Sequence, residues 1–150
     1  MKNNSSNLLK TTLRNERGFT LTEMLIVVAI IAMIGTFAVS KITAQYGKAK
    51  VDATKIQIRN LATTLDNYRL DCNFYPTTDQ GIEALVTKAT VGRDCKNYNS
   101  EGYAKKVPVD SWGQPFLYES DGQKFLIKSY AADAAEGGEG NNADITSDSI

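Results

Sequence analysis

Glu23 is the side chain in this 150-residue chain whose setting most demands a chemical explanation. It stands at the mouth of an apolar run, Met24 to Val39, that holds no charged residue. A carboxylate at a bilayer centre costs about 2.5–3.5 kcal/mol, and less near the interface, so it calls for a partner. A second set lies near the C-terminus, where Asp133, Glu136, Glu139, Asn141, Asn142, Asp144 and Asp148 alternate with glycines. Hard oxygen donors in turn-forming sequence suit calcium, although the spacing is not that of an EF-hand. Composition alone favours the other reading, a solvated acidic tail. The third set is Cys72 and Cys95, whose separation matches no zinc or redox motif. In a reducing compartment they are ordinary thiols; in an oxidising one they can close a loop and contribute roughly 3 kcal/mol. There is no histidine, which removes the commonest general base and zinc ligand. No nucleophile–base set and no phosphate-cradling glycine loop appears, so catalysis is not expected.

The elements that must carry these residues follow from charge and periodicity. Residues 1–18 hold Lys2, Lys10, Arg14 and Arg17 against Glu16 alone, so in a chain of zero net charge the remainder is acidic. No basic stripe remains for nucleic acid. The segment resembles a basic leader, but the small residue, Gly18, precedes the apolar run instead of following it. A cut there frees an amine on Phe19 and leaves the apolar segment on the mature chain. That segment is about 16 residues long, or about 20 with Phe19 to Glu23 included, marginal for a ~30 Å hydrocarbon core. It reads as a membrane anchor. Lys41, Lys48, Lys50 and Lys55 follow it, so flanking charge leaves orientation undecided.

No helix breaker follows the run. Gly47 is tolerable at a cost of about 1 kcal/mol. Val51, Ile58, Leu61, Leu65, Tyr68 and Cys72 recur at helical spacing, while Asp52, Lys55, Arg59, Asp66 and Arg69 take other faces. One helix from Phe19 to about Asp71 is expected, roughly 80 Å at 1.5 Å per residue. Asn73-Phe74-Tyr75-Pro76 should end it, because proline cannot continue a helix. Thr77 and Gln80 have capping-box spacing ahead of a short helix through Ile82, Leu85 and Val86. Residues 89–106 read as a polar loop, and Val107 to Pro115 as a turn region in which Asp110 caps and Trp112 packs. Strands Phe116–Glu119 and Lys124–Ser129 form a hairpin.

The residues so placed resemble the type IV pilin-like family, and within it the major pseudopilins of the type II secretion system. The signature is Gly18-Phe19-Thr20-Leu21-Thr22-Glu23 ahead of the apolar run. Tyr75 to Leu85, Val107 to Tyr118, and Ala132 to Ile145 resemble that subfamily's head. The resemblance spans residue 17 to about 145. It implies an α+β fold: a long N-terminal helix with an apolar transmembrane half and an amphipathic half. That helix packs on a small head with a short helix, an antiparallel β-hairpin or sheet and a C-terminal calcium-binding loop. The implied organisation is a cleaved leader over 1–18, a transmembrane or filament-core helix over 19–40, and a periplasmic head over 41–150.

The resemblance also implies roles. Prepilin peptidase would cut between Gly18 and Phe19 and methylate the Phe19 amine, leaving the head in the periplasm. Glu23 would pair with the Phe19 amine of a neighbouring subunit. Calcium would take side-chain oxygens from Asp133 and Asp144 and a carbonyl near Tyr130, and it becomes the favoured reading of the tail. Expected partners are further copies of the chain in a filament, minor pseudopilins, the peptidase and an inner-membrane assembly platform, with no nucleic acid. The chain departs from the family pattern in its long leader with Glu16, in Ser40 where a proline is common, and in Thr146 to Ile150 where a tryptophan often follows the calcium loop. Cys72 and Cys95 lie outside that pattern, and a disulfide between them is the favoured reading. Two other functions fit the N-terminus: a type IV or competence pilin subunit, or a monomeric single-pass membrane protein displaying a binding head.

Overall fold

A computed structural model of the protein describes residues 18–150, apart from the side chains of residues 37–41. The leader expected over 1–18 therefore lies outside the described residues except for Gly18, as does the side chain of Ser40. The chain divides into two compact units, with the boundary between Ser40 and Lys41. Helix α1 spans Leu21–Cys72 and supplies residues to both. In the first unit every described side chain from 18 to 36 is exposed. Among the described residues no helix is long and apolar enough to cross a membrane. The apolar run itself continues into residues 37–41.

In the second unit the expected stripe is the spine of the core. Ile58, Leu61, Leu65, Tyr68 and Cys72 are buried and Val51 is half-buried. Thr54, which the periodicity passed over, is buried in the same stripe, and its hydroxyl accepts a hydrogen bond from Ser111 N at 3.3 Å. The helix stops before the proline takes effect. Asn73 adopts a left-handed φ of 62° and its N–H donates to Arg69 O at 2.7 Å, the geometry of a helix C-terminal cap. Asparagine tolerates that conformation where a branched residue would not.

The short helix is a 3-10 turn, Ile82–Leu85. It begins later than the capping signal suggested. Gln80 Oε1 does accept from Thr77 N at 3.1 Å, but this closes a turn, and Gly81 at φ 66° redirects the chain before Ile82. Gln80 is buried, and its Nε2 donates to Val91 O and Arg93 O at 2.8 and 2.9 Å, pinning the following loop. That loop is less polar in its packing than in its composition. Tyr98 packs edge-on and Tyr103 at a tilt against Tyr68, with centroids 6.2 and 5.2 Å away. Cys95 is buried and bonded to Cys72, with their Cα atoms 4.9 Å apart.

The sheet has three antiparallel strands in the order β1 (Leu117–Ser120), β2 (Phe125–Ser129) and β3 (Ile145–Thr146). Tyr118 pairs with Ile127, and Ser129 with Ile145. The hairpin was legible from sequence. The two-residue β3 was not, because too few residues alternate to leave a pattern. Asp110 is buried in the turn before β1. Its Oδ1 accepts from Trp112 N and Gln114 N, and its Oδ2 from Ser129 Oγ at 2.7 Å.

Two measurements test this packing. Replacing both cysteines (Cys72→Ser with Cys95→Ser) should lower unfolding stability by about 3 kcal/mol in urea titrations, the value of a loop of this length. Alkali should also weaken the head. Burial pushes the Tyr118 and Tyr103 phenols up to about 12, and for Tyr103 the hydrogen bond it donates to Asp71 adds to this. The fold therefore holds protons that an unfolded tyrosine releases near pH 10. Stability should be complete below about pH 10 and fall as pH rises toward about 12, read as a dropping urea midpoint.

Candidate functional site

Two regions carry the residues singled out by sequence. At the first, Thr20 caps α1: Glu23 N donates to Thr20 Oγ1 at 3.2 Å and Met24 N to Thr20 O at 3.1 Å. Thr20 and Glu23 thus stand at the spacing of a capping box, a signal present in the sequence but missed there. The cap fixes where the helix starts, and so holds Glu23 in the first turn, where the helix dipole favours negative charge. Phe19 lies just outside the helix with 72% of its surface exposed. Gly18 and Phe19 are exposed and have no regular secondary structure. Among the described residues no cation lies within ion-pair distance of Glu23. Beyond Glu23 the exposed side chains are Met24, Leu25, Ile26, Val27, Val28 and their successors, a surface that water solvates poorly.

The second region is the loop from Ala131 to Asp144. Left-handed residues shape it: Ala131 and Ala134 at φ 54°, then Gly137, Gly138 and Gly140. A Cβ at Gly138 would collide with Asn142 O, so the loop closes only because that residue is glycine. The closure is a reciprocal pair. Asp144 N donates to Gly137 O, and Gly137 N donates to Asp144 Oδ2, both at 3.2 Å. Asn141, from the 3-10 turn Gly140–Asn142, lies against α1 at Gly47, where a Cβ would strike its carboxamide. Gly47 is therefore a point of close approach as well as a tolerated helix residue.

The candidate oxygen ligands are spread along this loop. Asp133 is exposed and its Oδ1 accepts from Ala135 N at 3.2 Å; Tyr130 and Asp144 are half-buried. Among the described residues no group of three or more acidic or cysteine side chains gathers as a metal cluster, so a cation here would need backbone carbonyls to complete its shell. One feature fits a hard cation. Asp144 Oδ1 is buried and has no hydrogen-bond partner. A buried carboxylate oxygen without a donor is costly, and a cation would satisfy it. Lys128 also reaches this loop, with Nζ 3.3 Å from Glu136 Oε1 and 4.0 Å from Asp144 Oδ2, a contact that sequence reasoning did not foresee.

Known proteins match both regions. A family described as type II secretion system (T2SS), protein G, matches residues 41–148, and one described as the prokaryotic N-terminal methylation motif matches residues 13–39. The type II secretion system core protein G of Pseudomonas aeruginosa is 44% identical over 134 residues, covering 88% of this chain and 94% of that protein. That of Vibrio cholerae is 43% identical over 135 residues, covering 89% and 92%. The crystal structure of the major pseudopilin from the type 2 secretion system of enterohaemorrhagic Escherichia coli is similar with a TM-score of 0.62 and 34% identity, over 72% of this chain and 94% of that one. A capped apolar helix start within a methylation motif, joined in sequence to a head of this topology and identity, makes the chain a member of the type II secretion system protein G family, the major pseudopilins.

Proposed function

We propose that this chain is the repeating subunit of a periplasmic filament that drives folded proteins out through the outer membrane. Prepilin peptidase cleaves between Gly18 and Phe19 and methylates the new amine. Residues 19–40 hold the chain in the inner membrane with the head in the periplasm, and later pack in the filament core. The observation that carries this reading is the exposed apolar surface of α1, which lies within the residues that match the methylation motif. Such a surface is stable only in lipid or against other copies of itself. Glu23 pairs with the Phe19 amine of the next subunit, and opposite charges that would each be costly in an apolar setting neutralise one another. Assembly involves other secretion components: minor pseudopilins, the inner-membrane platform and a cytoplasmic ATPase. The match of residues 41–148 to the secretion family favours this reading over an adhesive or competence pilus.

Calcium belongs to the same proposal. Asp144 Oδ1, Asp133 and a carbonyl near Tyr130 would hold the ion. Its charge would satisfy the orphaned oxygen and tie the loop to the sheet.

Glu23→Ala should insert and be processed normally, giving a mature chain that begins with methylated Phe19 by mass spectrometry, yet fail to form filaments when overproduced. Filaments at wild-type yield would remove the pairing, and an unprocessed wild-type N-terminus would remove the whole scheme. Excess EGTA should lower the melting temperature of the purified protein by several degrees, with calcium restoring it. An unchanged transition would exclude a structural calcium.

A further inference from the structure

Lys128 is the central residue of the C-terminal loop's charge arrangement, although it belongs to the sheet. It lies on the middle strand β2, paired with Leu117 on one side and Thr146 on the other. Its side chain is only 19% exposed, and that of Asp144 only 18%. The stem of Lys128 is covered while its ammonium reaches the surface, between Glu136 Oε1 at 3.3 Å and Asp144 Oδ2 at 4.0 Å. Asp144 Oδ2 also accepts the Gly137 N–H that closes the loop. One cation from the rigid sheet thus faces two carboxylates from the loop, eight positions apart in sequence. At 4.0 Å it balances the charge of Asp144 without filling its coordination, and Oδ1 remains without a donor.

We infer that Lys128 is an internal counter-ion that holds the C-terminal loop closed without metal and competes with a divalent cation for Asp144. The inference extends the calcium reading above, on which its second half rests. Without Lys128, Asp144 and Glu136 would repel each other across the loop mouth, and the Gly137–Asp144 closure would lose its electrostatic support. With a divalent cation on Asp144, the ammonium becomes a like charge a few ångströms away, well inside the screening length of physiological salt. The loop then exchanges one cation for another: it stays folded while metal is scarce, and the lysine tunes how much metal is needed to load it.

The test uses the full chain in detergent micelles and compares wild type with Lys128→Met, Lys128→Arg and Glu136→Gln. In EGTA, amide exchange at Gly137 and Asp144 should rise roughly tenfold in Lys128→Met, rise less in Glu136→Gln and stay near wild type in Lys128→Arg, with exchange at Tyr118 unchanged as a report on the sheet. Calcium titrated by calorimetry should bind Lys128→Met roughly tenfold more tightly than wild type. Unchanged loop exchange in EGTA for both Lys128→Met and the exposed, fold-neutral Glu136→Gln overturns the closure. Equal calcium affinity in Lys128→Met and wild type overturns the competition while the calcium reading stands. No calcium binding by any variant overturns the competition and the calcium reading together, and raised exchange in EGTA would then support the closure alone.

Discussion

The head is organised by one stripe of α1. Thr54, Ile58, Leu61, Leu65, Tyr68 and Cys72 repeat at three- and four-residue spacing and present a single face, which the 3-10 turn, the tyrosine loop and the sheet cover. Each large apolar side chain so buried contributes about 1.5–3 kcal/mol, so the stripe supplies much of what opposes the chain's conformational entropy. The lower end of the stripe is also where covalent and backbone constraints meet. Cys72 is tied to the loop at Cys95, and Asn73 turns the chain out of the helix one residue later.

Polar groups inside this framework are positioned by what they satisfy. Asp110 takes two backbone N–H groups and the Ser129 hydroxyl, linking the turn before β1 to the end of β2. Gln80 joins its own turn to the loop at Val91 and Arg93. Tyr118 donates to Pro76 O at 2.8 Å across the sheet and the chain that leaves α1. Buried donors and acceptors left unpaired would each cost about 1–3 kcal/mol, so these contacts specify the loop paths that apolar packing alone would leave open. The Tyr98 hydroxyl and, in the C-terminal loop, Asp144 Oδ1 are buried without a partner among the described residues, and the second lies where the ligand reading pointed.

The two functional regions are unsatisfied in opposite senses. The N-terminal half of α1 shows apolar side chains that nothing among the described residues covers. The C-terminal loop shows oxygen atoms and few apolar groups, closed by glycine geometry and by the paired Gly137–Asp144 hydrogen bonds. Covering the first calls for lipid or further subunits, and completing the second calls for positive charge.

Much of this was legible in the residues. The apolar run, the carboxylate at its mouth and the stripe from Val51 to Cys72 are properties of spacing, and spacing is local. The hairpin between β1 and β2 was legible for the same reason, since strand alternation and a turn lie within one short segment. The amino-acid sequence by itself thus determined the helix and its amphipathic face. Other features arise between residues far apart in the chain: the Cys72–Cys95 bond, the burial of Tyr98 and Tyr103 on Tyr68, the two-residue β3 and the reach of Lys128 to Asp144. Only the tertiary structure decided these. A short strand or a buried ion pair leaves no periodicity of its own, and its energy comes from neighbours that the chain brings together only on folding.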